Sequence, residues 1–320
     1  MKKVLIMGGS YFIGRTLVDH MLGEGYDVFT VNRGSRPVWD VRIQNLVCDR
    51  EDKERLKQIL RPHRFDYVVD VSGLNGRQAE ILCEALSAEG PEKFIFLSSS
   101  AVYDIENLKP PFRETDAIGE NRYWTFYGKD KIDTEAVYMK HFFNIPTQLS
   151  ILRPPYVYGE HNYAQRESFV FDHLLKELPV LLPDSNVKLQ FIYVKDLANV
   201  VCRLLKSPCL AHSIYNVGNR KAVSCREWVE CCAKAAGLAV NCAFYNYRRD
   251  RRTVREFFPF YDYDNVLDVS RIKEIYPNET DYIEGLEKSY QWYLQNRDNI
   301  RMKENVIFNE EQIRRKLGLE

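Results

Sequence analysis

Tyr127 and Lys131 stand four residues apart in "WTFYGKDKIDTEAV", so a helix there puts both side chains on one face. A tyrosine is a poor base at its ordinary pKa of about 10. A neighbouring ammonium stabilises the phenolate and brings proton transfer within reach near neutral pH. Upstream, "FIFLSSSAVYD" places Ser98, Ser99 and Ser100 at the end of an apolar run with strand character. Ser99 or a neighbour there can hydrogen-bond a substrate oxygen and steady it beside Tyr127. The chemistry these residues suit is abstraction of a hydroxyl proton.

A second constellation opens the chain. "MGGSYFIGRTL" follows a short apolar run and leads into helically spaced Leu17, Val18, Met21 and Leu22. A strand, a glycine-rich turn and a helix N-terminus together form an anion site, with unpaired N–H groups facing a pyrophosphate. Gly8, Gly9 and Gly14 stand where a dinucleotide-binding loop needs glycine, while Tyr11 replaces the middle one. A negative φ at Tyr11 would keep its ring off the pyrophosphate and leave the close approaches to the three glycines; the ring packing over the cofactor, or shaping the pocket entrance, are the open alternatives. At the end of the next strand, Asn32 occupies the place of the usual ribose-binding acid, followed by Arg33 and, nearby, Arg36. Without a carboxylate to repel a 2′-phosphate, NADP(H) is favoured, with NAD(H) possible. A nicotinamide's positive ring would add to the stabilisation of a Tyr127 phenolate.

These residues need a scaffold, and the hydrophobic pattern supplies one. "YDVFTVNRG", "RIQNLVCDRED", "FDYVVDVSG", "EKFIFLSSS" and "TQLSILRPPYVYG" are expected strands, with helices between them, one capped near Asp49 and one around residues 127–143. Short apolar strands alternating with amphipathic helices imply an α/β fold with a parallel sheet covered on both faces. The 320 residues, 45% hydrophobic, suit one large domain or a domain with a satellite. Lys and Arg total 45, as do Asp and Glu, so the chain has no net attraction to nucleic acid or anionic membrane. The eight cysteines form no CxxC pairs and read as reduced core residues rather than metal ligands. No apolar run approaches the ~18 residues of a membrane span, and no signal peptide is evident, which points to a cytoplasmic protein.

Taken together, "GGSYFIG", "SSSAVY", "YGKDK", "LRPPYVYG", "FIYVKDLA" and "YNVGNRKAVSCREW" resemble the extended short-chain dehydrogenase/reductases of the NAD(P)-dependent epimerase/dehydratase family. The resemblance spans most of residues 1–275. It implies a doubly wound Rossmann domain over 1–165 and 190–218, and a smaller substrate domain over 166–189 and 219–300. A charged helical tail, 301–320, is expected to pack on the body or a second subunit, and the family implies a homodimer. By position, Ser99, Tyr127 and Lys131 match the catalytic trio and Asp49 the adenine contact. Further cofactor contacts are implied for Ser10, Phe12, Ile13, Arg50, Ser72, Gly73, Ser98 and Pro154. "GGSYFIGR", "NRG" and "FPFYDYDNVLDVS" resemble an atypical branch that includes RNA-associated, chloroplast stem-loop-binding proteins.

The family chemistry implies that Tyr127 takes a hydroxyl proton while the nicotinamide accepts hydride, giving a keto intermediate. An epimerase returns the hydride to the opposite face; a reductase stops after one transfer. Dehydratases carry an Asp-Glu pair after the catalytic serine or threonine. Ser100 and Ala101 stand there instead, which disfavours dehydration. The expected substrate is a nucleotide sugar, with Ser100, Tyr156, Arg166 and Arg251 as candidate contacts. Arg248, Arg249, Arg251, Arg252 and Arg255 form a basic run that could clamp a diphosphate or remain a solvated loop. Two alternatives stay open: an RNA-binding protein using that run with Tyr245, Tyr247, Phe257 and Phe258 as a stacking surface, or a cofactor-binding regulator without turnover.

Overall fold

Val4–Met7 is an unbroken apolar run, and all four side chains are fully buried. This is the pattern of a strand covered on both faces. In a computed structural model, which describes residues 1–208 and 212–319, it forms an inner strand of a seven-stranded parallel sheet. The first six strands in chain order are β1 (Lys3–Met7), β2 (Asp27–Asn32), β3 (Gln44–Val47), β4 (Tyr67–Asp70), β5 (Lys93–Leu97) and β6 (Gln148–Arg153). The spatial order is Ser213–Asn216, β6, β5, β4, β1, β2, β3. Connections therefore leave β1 in opposite directions, and the topological switch point lies at the carboxyl ends of β1 and β4, where such sheets take ligands.

Four helices matter for the site: α1 (Phe12–Gly23), α2 (Lys53–Leu60), α3 (Gly76–Ala85) and α4 (Thr125–Phe142). Asp52, rather than Asp49, caps α2, accepting the Arg55 N–H at 3.0 Å. Asp49 instead closes a local turn by accepting the Glu51 N–H. α4 is held on the sheet by aromatic packing: the Tyr138 and Phe142 rings lie 4.6 and 4.8 Å from that of Phe94. Its opposite end is thereby fixed for Tyr127 and Lys131.

The chain divides into two units. The first takes Met1–Pro155, Val194–Gly218 and Leu267–Asn278; the second takes Tyr156–Tyr193, Asn219–Val266 and Glu279–Glu320. The last expected strand splits at Pro154–Pro155 into β6 and the short strand Tyr156–Tyr158, one in each unit. The second unit is built on aromatics: Trp228 stacks on Phe191 at 3.6 Å, and Tyr158, Phe260 and Tyr282 meet that pair edge-on or tilted. The C-terminal helix Glu304–Leu317 belongs to this unit, held by a buried contact between Glu310 and His173 at 2.6 Å. The described cysteines are free thiols, and Cys209 lies outside the described residues. No described helix is long and apolar enough to cross a membrane.

Candidate active site

The glycine loop leaves β1 with φ of +102° at Gly8 and +114° at Gly9, a region that L side chains rarely adopt. At Gly14 the constraint is contact: a Cβ would sit 2.6 Å from the Gly9 nitrogen, so only glycine lets α1 start this close to the loop. Tyr11 has φ −136° and ψ 149°, ordinary extended backbone, and is the N-cap of α1 without a side-chain cap bond. The unusual backbone sits one residue later, at Phe12, with φ +35° and its ring buried. The first turn of α1 carries no acidic residue. Its N–H groups therefore fit a pyrophosphate, as the family's dinucleotide requires.

Around this loop the expected cofactor residues divide. The Asn32 carboxamide turns onto its own scaffold, donating to Asn45 Oδ1 at 2.6 Å and accepting the Gly34 N–H at 2.9 Å. Arg33 is exposed, and the Arg36 guanidinium lies 4.4 Å over the Tyr11 ring. Arg50 forks onto Asp70 with two 2.9 Å bonds and reaches Ser72 Oγ at 2.8 Å. Asp70 also accepts the Gly73 N–H and the Tyr138 hydroxyl. Burial pushes the Asp70 carboxyl up, but Arg50 and Tyr138 outweigh it and hold the group below the usual carboxylate range.

The serine turn follows β5. Ser99 Oγ accepts the Ala101 N–H at 3.1 Å, which leaves its own proton to donate. Ser98 and Ser100 face inward. Ser98 Oγ donates to Glu135, and the Ser100 N–H donates to the Pro154 carbonyl at 2.9 Å. Glu135 is clamped by Arg153 through bonds of 3.0 and 2.6 Å, both side chains being 2% exposed.

Tyr127 stands in the first turn of α4 and is 38% exposed, whereas Lys131, one turn on, is buried. Lys131 Nζ donates to the Gly73 carbonyl at 2.7 Å and the Leu97 carbonyl at 2.8 Å, and lies 6.0 Å from the Tyr127 ring centre. Burial pulls this ammonium down from its ordinary 10.5 to about 8, with Asp70 opposing. Two residues bring α4 against the serine turn. A Cβ on Gly128 would lie 2.6 Å from the Ala101 carbonyl oxygen. Asn121 Nδ2 donates to the Ala101 and Tyr103 carbonyls, and its Oδ1 accepts the Trp124 N–H. The structure thus joins the Ser99 turn, Tyr127 and Lys131 within the first unit.

Asp70, Glu135, Arg153, Asn121 and Gly128 escaped the sequence reading. The only signal was a charge in an apolar run, Asp70 in "YVVD" and Arg153 in "SILR". In the second unit, the Tyr156 hydroxyl accepts the Tyr261 N–H at 3.3 Å, and burial pushes that phenol up to about 12. Arg166 donates to the Val157 carbonyl and lies 5.4 Å over the Tyr156 ring. Arg251 is exposed, with φ +54°. The basic run is partly neutralised, Arg248 by Asp262 and Arg252 by Glu256. Tyr245, Tyr247, Phe257 and Phe258 are all buried, so the stacking surface expected of an RNA binder is absent at these four residues.

Comparison with known proteins agrees with this geometry. The chloroplast stem-loop binding protein of 41 kDa b from Arabidopsis thaliana is 30% identical over 90% of this chain and 78% of its own length. UDP-arabinose 4-epimerase 1 from the same plant is 24% identical over 74% of this chain and 68% of its own. Among solved structures, a Thermotoga maritima UDP-glucose 4-epimerase with UDP-glucose superposes with a TM-score of 0.76 at 19% identity, covering 92% of this chain and 99% of that one. A Bacillus anthracis dTDP-glucose 4,6-dehydratase with NAD gives 0.77 at 17% identity, covering 93% and 98%. With residues 4–218 also matching the family's model, the chain belongs to the NAD dependent epimerase/dehydratase family.

Proposed function

We propose that the protein is an NAD(P)-dependent epimerase or reductase of a nucleotide sugar, with Tyr127 as the base. The observation that carries this reading is the Lys131 ammonium, fixed by two backbone carbonyls within 6.0 Å of the Tyr127 ring and one helical turn from it. When bound, the nicotinamide supplies a hydride acceptor. Ser99 donates its hydroxyl proton to the substrate oxygen and orients it. Tyr127 receives the proton that leaves this oxygen, and Lys131 stabilises the phenolate that must exist beforehand. Ser100 and Ala101, both buried and neither acidic, argue against a dehydratase, which needs an added acid and base at this place.

Several finer points belong to the same reading. The absence of a carboxylate at Asn32, with Arg33 exposed beside it, favours NADP(H); tighter binding of NADH than of NADPH would reverse that preference. Tyr156 and Arg166 are the substrate contacts best supported by their order, and Arg251 the least. A cytoplasmic homodimer is the expected state, checked by sedimentation at micromolar concentration. The stem-loop-binding relative makes RNA the competing partner. Salt-dependent RNA retention that is lost in the double variant Arg248→Ala, Arg251→Ala would favour that role. The test of the main reading is turnover of a panel of UDP- and dTDP-sugars by the wild-type chain and Tyr127→Phe. Undiminished turnover in the variant would refute Tyr127 as the base.

A further inference from the structure

β4 ends on a carboxylate inside an apolar run. Asp70 follows Tyr67, Val68 and Val69 and is fully buried. Arg50 forks onto both of its oxygens, the Ser72 and Gly73 N–H groups donate to Oδ1 at 3.1 and 2.9 Å, and the Tyr138 hydroxyl donates to Oδ2. The same Gly73 turns its carbonyl to Lys131 Nζ at 2.7 Å. One residue therefore links the carboxylate to the ammonium, its N–H toward Asp70 and its C=O toward Lys131. Only glycine fits there, because a Cβ would run into the Asp70 carboxylate.

Lys131 forms no salt bridge among the described residues; its Nζ donates to the Gly73 and Leu97 carbonyls and lies 4.7 Å from the Phe96 ring centre. The charged and titratable groups that face it are Asp70 on β4, Arg50 beside that carboxylate, and Tyr127 and Glu135 on α4, one turn to either side. Glu135 is committed to Arg153 and Ser98. Asp70 is faced in turn by Tyr138 of α4 and the Cys83 thiol of α3, both pushed up by burial and so uncharged. Of these charges Asp70 acts most strongly on Lys131, raising its proton affinity against the penalty of burial, and Arg50 opposes it. Neutralising Arg50 is by itself a weak reason for a charge here, since apolar replacement of a buried pair is often neutral or stabilising.

We propose that Asp70 is a positioning residue for Tyr127, acting through Gly73 to orient Lys131 and to keep its ammonium charge. The consequence for turnover rests on the reading of Tyr127 as the base, whereas the coupling of Asp70 to Lys131 belongs to the free chain. Without Asp70 the burial of Lys131 is opposed only by Glu135, and Tyr127 faces a neutral amine that no longer stabilises its phenolate. Arg50 is the counterweight, limiting how firmly the proton is held.

The test is an NMR titration of the full chain with its lysines carbon-13 labelled at Cε, the Lys131 resonance being identified by its loss in Lys131→Met. The wild-type midpoint is expected at about 8. In Asp70→Asn it should move to lower pH by about one pH unit or more, tenfold or more in proton affinity. Arg50→Gln keeps the carboxylate and removes the opposing charge, so its midpoint should move up. The double variant Asp70→Asn, Arg50→Gln removes both charges and should return toward the wild type. A carboxylate that only supports the fold predicts no such opposite signs. An unmoved midpoint in Asp70→Asn, or shifts of the same sign in the two single variants, would overturn the proposal. If Asp70→Asn does not fold, Arg50→Gln decides, and a midpoint at or below the wild-type value overturns it. A second arm measures turnover of the sugar panel at pH 8, where Asp70→Asn should be slower than the wild type and the double variant should recover. If the wild type turns over no sugar, the titration still decides the coupling. If turnover needs Tyr127 while the Lys131 midpoint ignores Asp70, the coupling fails and the reading of Tyr127 stands.

Discussion

The two charged regions of the molecule are built on opposite terms. In the first unit every buried charge near the site has its counter-charge or acceptor in place: Arg50 on Asp70, Arg153 on Glu135, and Lys131 on two carbonyls. In the second, Arg166, Arg255 and Lys303 form no salt bridge among the described residues; the two arginines donate to backbone carbonyls instead. Charges that are satisfied internally can only position something else. Charges left unsatisfied, at a cost in self-repulsion, are available to a ligand. The first region holds Tyr127 and Ser99 in place, and the second leaves its cations without an ionic partner among the described residues.

The sharpest way to break this comparison is to remove the one group in the first region that is exposed and assigned to act. Tyr127→Phe keeps the ring and its packing against Trp124 but deletes the proton acceptor. General-base contributions are typically about 10²–10⁴-fold, so kcat should fall by that much while dinucleotide affinity holds. Next in size is the scaffold. Glu135→Gln strips the charge that answers Arg153 in a site 2% exposed. Breaking a buried pair on one side costs about 3–5 kcal/mol, read as a lower denaturation midpoint. A loss below ~1 kcal/mol would mean that the pair is not the internal support described.

Protonation of Lys131 sharpens the same point. Its folded value of about 8 lies below the ordinary 10.5. Below the lower value both folded and unfolded chains carry the proton, and the burial penalty is at its full size. Between the two values the folded chain has released the proton while the unfolded chain still holds it. Stability from this group therefore rises with pH across that window and levels off above it. The difference in unfolding free energy between wild type and Lys131→Met should climb from about pH 8 to 10.5, with the thiols and tyrosines common to both cancelling. A flat difference would place the ammonium in a more hydrated setting.

How much of this was legible beforehand follows from range. The glycine loop, the Tyr127–Lys131 pair and the parallel sheet are written in spacings of one to four residues or in short apolar runs, and these survive as local structure. The supports are not local. Asp70 meets Arg50 from 20 residues away and Tyr138 from 68, and Glu135 meets Arg153 across 18. No periodicity marks such pairs; each looks like an isolated polar residue in an apolar stretch. Lys303 meets Gln165 across 138 residues, which is why the tail read only as a charged helix. The buried Tyr245, Tyr247, Phe257 and Phe258 show the converse error: aromatics beside arginines suggested a binding face, yet their large apolar area was drawn into the core.

Within the glycine loop, substitutions at Gly14 and Tyr11 should differ in size although both alter the same fingerprint. Gly14→Ala forces a Cβ toward the Gly9 nitrogen, 2.6 Å away, so loop and helix must separate and dinucleotide binding should be largely lost. Tyr11→Gly restores the familiar glycine, but φ at this position is already −136°, where glycine brings no relief and only adds freedom to the unfolded chain. What it removes is the ring beneath Arg36, 4.4 Å from the guanidinium. Such a half-buried contact is worth about 1 kcal/mol, so the variant should bind dinucleotide within several-fold of the wild type. Calorimetric titration of both variants decides it. If Tyr11→Gly lost binding as severely as Gly14→Ala, the tyrosine ring itself would have to be part of the cofactor contact rather than a tolerated replacement held aside by Arg36.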